Sequence, residues 1–277
     1  MRIGTKEFTR GRRTYVMGIL NVTPDSFSDG GNYTDMMLAV AQADRMIAAG
    51  ADLIDVGGES TRPGHTRISE EEEIRRVVPV IRELKRRFDV PVSIDTYKSD
   101  VAEAALDAGA DLLNDIWGFR ADERMAALAA EYQVPVCLMH NRDNTEYTDF
   151  MKEVVEDLKE SLAIAEKHGI KEEMIILDPG VGFGKTYEQN LAVLHHLEDI
   201  VALGYPVLLG TSRKSVIGNT LELPVTEREE GTIATSVIGA MKGCGFVRVH
   251  DVEKNVRALR MTDAVLRGGQ VSGSDQD

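Results

Sequence analysis

Residues 53–60, Leu53-Ile54-Asp55-Val56-Gly57-Gly58-Glu59-Ser60, begin with a short, mostly apolar run and pass directly into glycine and polar residues. Similar runs recur along nearly the whole chain, and amphipathic stretches separate them. Eight can be counted, ending near Leu20, Val56, Asp95, Asp115, His140, Asp178, Gly210 and His250. This alternation is typical of a parallel sheet joined by helical crossovers. Eight units favour an α/β protein with a (β/α)8 TIM-barrel fold, and counting alone leaves an open doubly wound sheet as the alternative.

The segments between the runs carry the punctuation of helices. Ser69–Glu72 has the form of a capping box, and Pro79 should kink the helix that follows. Thr226–Glu229 predicts a second capping box, and the acidic run Glu70–Glu73 is interpreted as a solvated first helical turn, where negative charge offsets the helix dipole. Glycines that follow periodic runs predict helix ends at Gly50, Gly109, Gly169 and Gly204.

Length and composition bound the class of protein. The chain has 277 residues, slightly more than the roughly 250 of one barrel, and no linker divides it. We therefore expect a single domain over residues 1–277, with 268–277 as a disordered tail. A net charge of −14 argues against nucleic-acid or membrane-surface binding, because such surfaces repel an acidic protein. No apolar stretch approaches the ~20 residues that cross a bilayer.

The two cysteines and the N-terminus indicate a reducing compartment. Cys137 and Cys244 lack metal-ligand spacing, and Cys137 lies in an apolar run that favours a small buried residue. The N-terminus lacks the apolar core of a secretory signal. The expected location is the cytoplasm.

Polar residues gather where the predicted strands end, which in a TIM barrel is the active face. Asp95, Asn114 and Asp178 end the third, fourth and sixth strands, so they should face inward at one level. Carboxylates and an amide can pair with the ring N–H and exocyclic amine of a pterin-like or guanine-like edge. The alternative for each residue is that it caps the following helix.

Cations come from other strands of the same predicted face. Arg62 follows the second strand, Ser212–Ser215 contains Arg213 and Lys214 after the seventh, and Arg248 and His250 stand at the eighth. Their convergence in an acidic protein predicts a phosphate or pyrophosphate site. His140 either points into this site or stabilises the turn after the fifth strand.

The segment Gly180–Thr186 imitates a phosphate-binding P-loop. Its spacing fails, because Pro179 stands where the motif requires its first glycine. We interpret it as a flexible strand-to-helix loop.

Several motifs together resemble the dihydropteroate synthase family of pterin-binding enzymes. The match runs in order from residue 14 to 260 and includes Met17–Gly31, Asp55–Gly64, Ser93–Thr96, Asn114–Asp115, Leu138–His140, Leu177–Lys185, Ser212–Ser215 and Val247–Asp251. The family usually continues after its Met-His pair with a basic residue, glycine and proline, whereas this chain has Asn141-Arg142-Asp143-Asn144-Thr145. The departure concerns the conformation of the fifth loop and not the pterin pocket.

The resemblance implies a role for each matching residue. The dihydropterin edge would be held by Asp95, Asn114, Asp178 and Lys214, and its faces by Met139, Phe183 and Arg248. The pyrophosphate would be gripped by Asn21, Arg62, Arg248 and His250, with Mg²⁺ held near Asn21, Asp29 and Asp95. The amine, p-aminobenzoate, would bind near Thr61, Pro63, Phe183, Lys214 and Ser215. The implied catalytic residues are Lys214, Asp95, Arg248 and Asp29.

By the same resemblance, the reaction joins 6-hydroxymethyl-7,8-dihydropterin pyrophosphate to p-aminobenzoate, a step of folate biosynthesis. The resemblance also implies that sulfonamides inhibit the enzyme. Cleavage of the carbon–oxygen bond would be dissociative, with the leaving pyrophosphate stabilised by Mg²⁺ and cations. Two alternatives remain: a pterin-dependent methyltransferase and a non-catalytic pterin-binding protein. A homodimer is implied, and its interface could be an apolar stripe that could equally face the barrel: Ile233, Val237, Met241, Val256 and Leu259.

Overall fold

The computed structural model describes residues 1–22, 32–59 and 67–268. Its main sheet contains eight parallel strands: β3 (Tyr15–Asn21), β4 (Leu53–Gly57), β5 (Val92–Asp95), β6 (Leu112–Asp115), β7 (Val136–Met139), β8 (Ile175–Asp178), β9 (Leu208–Leu209) and β10 (Phe246–Val249). The order is β8-β7-β6-β5-β4-β3-β10-β9. A parallel bridge between Leu177 and Val207 joins the two ends of the sheet. The (β/α)8 barrel is confirmed, and the open sheet is excluded.

Successive side chains of each strand point to opposite faces, and this alternation divides the barrel into two cores. Outward residues such as Ile54 and Val56 pack against the helices. Inward residues near the amino ends of the barrel strands form an apolar base cluster together with Ile3 and Phe8 of the N-terminal segment: Tyr15, Met17, Leu53, Leu112, Cys137, Ile176, Leu208 and Phe246. A short hairpin, β1 (Arg2–Ile3) with β2 (Lys6–Glu7), leads into Phe8 at this end. The base is therefore filled by apolar side chains, and the mouth at the carboxyl ends of the strands is left to polar ones.

The helices of the described residues are α1 (Asn32–Ala48), α2 (Glu70–Arg87), α3 (Ser99–Asp107), α4 (Arg124–Tyr132), α5 (Phe150–Lys167), α6 (Tyr187–His195), α7 (Leu197–Val201), α8 (Ser215–Leu221), α9 (Glu229–Met241) and α10 (Val252–Leu266). None of these described helices is long and apolar enough to cross a bilayer. The four glycines predicted to end helices all have positive φ: Gly50, Gly109, Gly169 and Gly204.

The helix starts confirm one predicted cap and correct another. The Ser69 hydroxyl accepts a hydrogen bond from the Glu72 amide at the start of α2. The interpretation of Glu70–Glu73 as wholly solvated is wrong for Glu73, which is buried and pairs with Lys98. The cap predicted at Thr226 is also wrong, because residues 225–227 form a 3-10 turn and α9 begins only at Glu229. A full capping box occurs instead at Thr186 and Gln189, before α6.

The apolar stripe assigned to the last two helices divides in the structure. Val256 and Leu259 are buried and belong to the core between α10 and the sheet. Met241 is 64% exposed, and the other exposed large apolar side chains of the two helices lie at positions outside the stripe: Ile238, Met261, Val265 and Leu266. The stripe is thus partly barrel-facing, and the outward apolar surface includes residues that the periodicity did not single out.

Candidate active site

Inward side chains at the carboxyl ends of the strands converge at the barrel mouth. Asp95 ends β5, Asn114 lies in β6 and Asp178 ends β8, and each of the three is about 5% exposed. Gly57 and Gly210 leave room between them. A Cβ on Gly210 would lie 3.7 Å from Asp178 Oδ2 and 3.9 Å from Lys214 Nζ. The predicted edge-binding residues therefore surround one space, and none of the three serves as a helix cap.

Arg248 of β10 ties the carboxylates on the far side of the mouth together. Its Nε donates to Asp55 Oδ2 at 2.6 Å and its Nη2 to Asp95 Oδ2 at 2.5 Å. Asn114 Nδ2 donates to the same oxygen of Asp55 at 3.2 Å. Asp55 is fully buried and was not singled out as a site residue. Inward alternation along β4 was the signal that could have found it.

Burial shifts the pKa values of Asp95, Asp178 and Lys214 towards their neutral forms. Burial, reinforced by Asp55 and opposed by Arg248, raises the pKa of Asp95 to about 7. Burial also raises the pKa of Asp178, against the pull of Lys214, and lowers the pKa of Lys214 to about 8. Asp55 Oδ1 and Asp95 Oδ1 are buried without a hydrogen-bond partner among the described residues. Unpartnered buried acceptors are costly, so a ligand that supplies donors would be bound favourably here.

The loop after β8 forms the opposite wall. Lys214 Nζ donates to the Val181 carbonyl at 2.5 Å and lies 4.7 Å from the centre of the Phe183 ring. Met139, at the end of β7, is buried. Phe183 is partly exposed towards solvent, as a residue that packs on a ligand should be. Lys214 thus lies between the carboxylate of Asp178 and an aromatic face.

Three further predicted residues, Asn21, Ser215 and His250, lie around the rim. His250 and Ser212 are joined through Nδ1 and Oγ at 2.8 Å. Ser215 is exposed at the start of α8, and Asn21 ends β3 beside Gly57. The remaining four predicted positions lie outside the described residues: Asp29, Thr61, Arg62 and Pro63.

A buried ion-pair cluster joins the two described ends of the second loop. Lys98 Nζ lies 2.6 Å from Glu59 Oε2 and 2.8 Å from Glu73 Oε2, and donates to the Ile68 carbonyl at 2.9 Å. The Ile68 amide donates to Glu59 Oε2 at 3.0 Å, and the Tyr97 hydroxyl to Glu59 Oε1 at 2.9 Å. Residues 59 and 68 are thereby held together at the base of the segment that carries Thr61, Arg62 and Pro63. The sequence patterns predict no role at the site for Lys98 or Glu73.

The mouth provides some of the oxygen ligands that a hard cation such as Mg²⁺ requires. No three His, Cys, Asp or Glu side chains form a metal cluster within residues 1–22, 32–59 and 67–268. Asn21 and Asp95 nevertheless face the same space, since a Cβ on Gly57 would lie 3.6 Å from Asn21 Oδ1 and 3.7 Å from Asp95 Oδ2. Amide and carboxylate oxygens suit Mg²⁺, which takes its other ligands from water and substrate phosphates.

His140 does not line the mouth. It is 1% exposed and lies behind the wall, where Nε2 is 3.0 Å from Asp157 Oδ2 and Nδ1 is 2.6 Å from Lys185 Nζ. The interpretation that it stabilises the turn is the one the structure supports. Burial lowers the pKa of His140 to about 4 and that of Lys185 to about 7. In the sequence, Lys185 belongs only to the segment Gly180–Thr186 that imitates a P-loop, and this pattern does not predict its contact with His140.

Comparison with known proteins agrees with this geometry. The family described as pterin binding enzyme matches residues 17–250. Dihydropteroate synthase of Clostridium beijerinckii is 64% identical over 268 residues, which cover 96% of this chain and 100% of that protein. A structure of dihydropteroate synthase from Clostridium difficile in the presence of pteroic acid has a TM-score of 0.92 and 55% identity, covering 94% of this chain and 100% of that one. The Xanthomonas albilineans enzyme with 4-aminobenzoic acid has a TM-score of 0.88 and 44% identity, with 92% and 93% coverage.

The barrel with its polar mouth, taken together with the matching family model, places the chain in the class of pterin-binding enzymes. Within that class, the chain belongs to the dihydropteroate synthase family of pterin-binding enzymes.

Proposed function

We propose that this chain condenses 6-hydroxymethyl-7,8-dihydropterin pyrophosphate with p-aminobenzoate, releasing 7,8-dihydropteroate and pyrophosphate. The observation that carries this proposal is the mouth itself, where buried acceptors of Asp55 and Asp95 lack donors among the described residues and Lys214 and Arg248 stand beside them. The similar structures, one determined in the presence of pteroic acid and one with 4-aminobenzoic acid, support it.

The pterin edge would bind to Asp95, Asn114 and Asp178. Its ring N–H and amine groups would donate to the carboxylates, and the Asn114 amide can both donate and accept. Asp55 would contribute indirectly, because it accepts hydrogen bonds from Asn114 and Arg248 and so fixes their orientation. The faces of the pterin would pack on Met139 and Phe183, with the guanidinium of Arg248 stacked as a delocalised cation.

The chemical step breaks the bond between the pterin methylene carbon and the pyrophosphate oxygen. The bonding electrons leave with the pyrophosphate, the electron-rich pterin stabilises the positive methylene, and the amine nitrogen then attacks that carbon and releases its proton. Cations lower the barrier when they face the charge that develops on the leaving group. Arg248, His250, Lys214 and, on the second loop, Arg62 would supply that charge, while Thr61, Pro63, Phe183 and Ser215 would surround the amine.

Mg²⁺ would neutralise part of the charge of the leaving pyrophosphate. Asn21 and Asp95 would hold it, and Asp29 of the first loop would complete the protein ligands. The donor set fits, because one amide and two carboxylate ligands leave the remaining positions to water and the pyrophosphate, in keeping with the preference of Mg²⁺ for few protein ligands.

The chain would work as one domain in the cytoplasm and as a homodimer. Its two buried thiols, Cys137 and Cys244, are free, as in a reducing compartment. Exposed apolar side chains on neighbouring helices α9 and α10, including Met241 and Met261, support a self-association surface. Light scattering should give twice the mass of the 30.5 kDa chain, and Met241→Glu should lower it.

The deciding experiment supplies Mg²⁺ and dihydropterin pyrophosphate with and without p-aminobenzoate. Pyrophosphate release is followed together with dihydropteroate by mass. Amine-dependent product is the expected result. Pterin binding without condensation would overturn the proposal in favour of a methyltransferase or a binding protein.

A further inference from the structure

Behind the wall of the mouth, a buried polar chain runs from helix α5 to the loop after β8. Asp157 of α5 accepts from His140 Nε2 at 3.0 Å, and His140 Nδ1 accepts from Lys185 Nζ at 2.6 Å. The three residues are 7%, 1% and 9% exposed. None of them reaches the space in which the substrates are proposed to bind, so the proposed mechanism leaves this cluster without a role.

The count of donors and acceptors assigns one protonation state to the cluster. Besides His140, Lys185 Nζ faces two carbonyl oxygens of its own loop, those of Gly180 at 3.0 Å and Phe183 at 3.1 Å. Three acceptors are what the three N–H groups of an ammonium satisfy. Neutral His140 must then accept at Nδ1 and donate at Nε2 to Asp157. Burial lowers the pKa of Lys185, yet we assign its charged form because every proton of that form has a partner.

Arg142 fixes the outer end of this chain. It donates to both oxygens of Asp157, at 2.6 and 3.0 Å. Hydrogen bonds from His140 and Arg142 outweigh burial and hold the pKa of Asp157 below its ordinary value. Arg142 also lies 4.4 Å from the centre of the Tyr147 ring, and the Tyr147 hydroxyl donates to the Gly184 carbonyl at 2.7 Å. The unusual fifth loop therefore has a defined contact with the loop after β8.

The loop that Lys185 grips carries the wall of the site. Phe183 and the Val181 carbonyl both face Lys214. The backbone of this loop packs closely on the fifth loop: a Cβ on Gly180 would collide with the His140 carbonyl, and one on Gly184 with the backbone of Arg142. Both glycines have positive φ, a conformation that glycine adopts readily and other residues rarely. The position of the wall thus depends on what holds these two loops together.

We propose that Lys185 is a positioning residue for the condensation: its ammonium clamps the Gly180 and Phe183 carbonyls to the His140–Asp157 pair, and so fixes Phe183 and the carbonyl that holds Lys214. The inference rests on the proposed function, since it names what orders that site. Misplacement of a reacting group by about 1 Å can lower a rate roughly hundredfold, so a clamp of this kind is expected to act on turnover and not only on folding.

Two substitutions of His140 separate the clamp from simple packing. In His140→Asn the amide can offer an acceptor near the place of Nδ1, whereas in His140→Gln the terminal amide reaches towards the place of Nε2. The clamp requires an acceptor at the place of Nδ1, because that atom faces Lys185 Nζ. We expect His140→Asn to stay within about threefold of the parent in kcat/KM for the amine, and His140→Gln to lose at least about tenfold. Packing alone predicts the opposite order, because glutamine is closer to histidine in size.

Lys185→Met is the direct test, and Lys85→Met is its matched control. Lys85 is also partly buried and paired, 2.7 Å from Asp111 at the base end of the barrel. Lys185→Met should lose at least about tenfold in kcat/KM for the amine, and Lys85→Met should lose none. If His140→Gln fails to fold, this pair decides the same question.

Affinity for pteroate, measured by calorimetry, provides a readout that needs no turnover. It should fall for Lys185→Met and His140→Gln but not for His140→Asn. The double variant Lys185→Met/His140→Gln should be no worse than Lys185→Met, because both changes remove one interaction. Additive losses, or His140→Gln as good as His140→Asn, would overturn the clamp. A parent protein that binds pteroate but makes no product would instead refute the proposed function.

Discussion

The two ends of the barrel interior are built from the same alternating strands but filled in opposite ways. At the base, the rings of Phe8, Tyr15 and Phe246 meet with centroids 4.8 to 5.5 Å apart. At the mouth, Asp55 and Asp95 crowd against one guanidinium, that of Arg248, and each keeps a buried oxygen without a partner among the described residues. The rings at the base pack against one another, whereas the buried oxygens at the mouth need hydrogen-bond donors that a ligand can supply.

This difference indicates that the base contributes mainly to the stability of the fold and the mouth mainly to ligand affinity. Burial of apolar rings stabilises a fold, whereas buried charges rarely repay their desolvation unless every lone pair is satisfied. Changes at the base should therefore lower the free energy of unfolding, and changes at the mouth should lower binding and turnover.

The largest effect is expected at Lys214. Lys214→Ala should lower kcat/KM about thousandfold, since removal of one preorganised donor opposite a developing anion costs roughly 10²–10³ in rate. The midpoint of thermal unfolding should not fall, because burial already disfavours the Lys214 charge. Activity and circular dichroism melts measure both. Lys254→Ala, at an exposed ion pair of α10, is the control. An unfolded Lys214→Ala protein would contradict the division between the two ends.

Phe8→Ala should give the opposite result. Phe8 is 4% exposed and contacts two other rings, so its truncation should lower the free energy of unfolding by about 3 kcal/mol. Urea unfolding measures this loss. Under conditions in which the variant remains folded, kcat and the KM values should match the parent. A lower kcat there would show that the base also shapes the mouth.

Asp55→Asn should weaken pterin affinity by about tenfold. The change removes the charge opposite Arg248 and disturbs the acceptor that orients Asn114. The matched control is Asp115→Asn. Asp115 is equally buried, but it accepts from the amides of Trp117 and Phe119 at 2.8 Å each. Calorimetry should show lost affinity only for Asp55→Asn, while Asp115→Asn should lose about 1–3 kcal/mol of stability. Equal affinities for the two variants would remove Asp55 from the site.

Sequence patterns predicted the frame well, because the frame follows from local periodicity. All eight predicted strand ends lie within a residue or so of the observed ones, and Asp95, Asn114 and Asp178 face one space. The cap at Thr226 failed because a 3-10 turn took its place, while Thr186 capped α6 from inside a segment that resembled a P-loop.

The pairings that order the mouth could not be predicted in the same way. Asp55 and Arg248 are 193 positions apart in sequence, and Lys98 and Glu59 are 39 apart. No local pattern records which distant charge a side chain will meet. Glu73 shows the consequence, since its place in an acidic helix start suggested solvent, yet the fold turned it inward to Lys98.

The smallest effect concerns pH. It tests whether deprotonation of Asp95 raises the affinity for the ligand while it lowers the stability of the free protein. Burial raises the pKa of Asp95 to about 7. Its anionic form accepts from a pterin, so affinity for 6-hydroxymethylpterin, which lacks the pyrophosphate, should rise between pH 6 and 7 by at most tenfold for one proton. Above pH 8 affinity should fall again, since burial lowers the pKa of Lys214 to about 8.

Asp95→Asn identifies the group, because the titration of the ligand itself is common to both proteins and cancels in the comparison. The variant should bind more weakly but lose the rise between pH 6 and 7, and an unchanged rise would assign it to another carboxylate such as Asp178. A carboxylate whose pKa is raised by folding makes the unliganded protein less stable as pH increases from about 4 to 7. The free protein should therefore lose stability over the range in which the mouth gains affinity, and Asp95→Asn should reduce both slopes together.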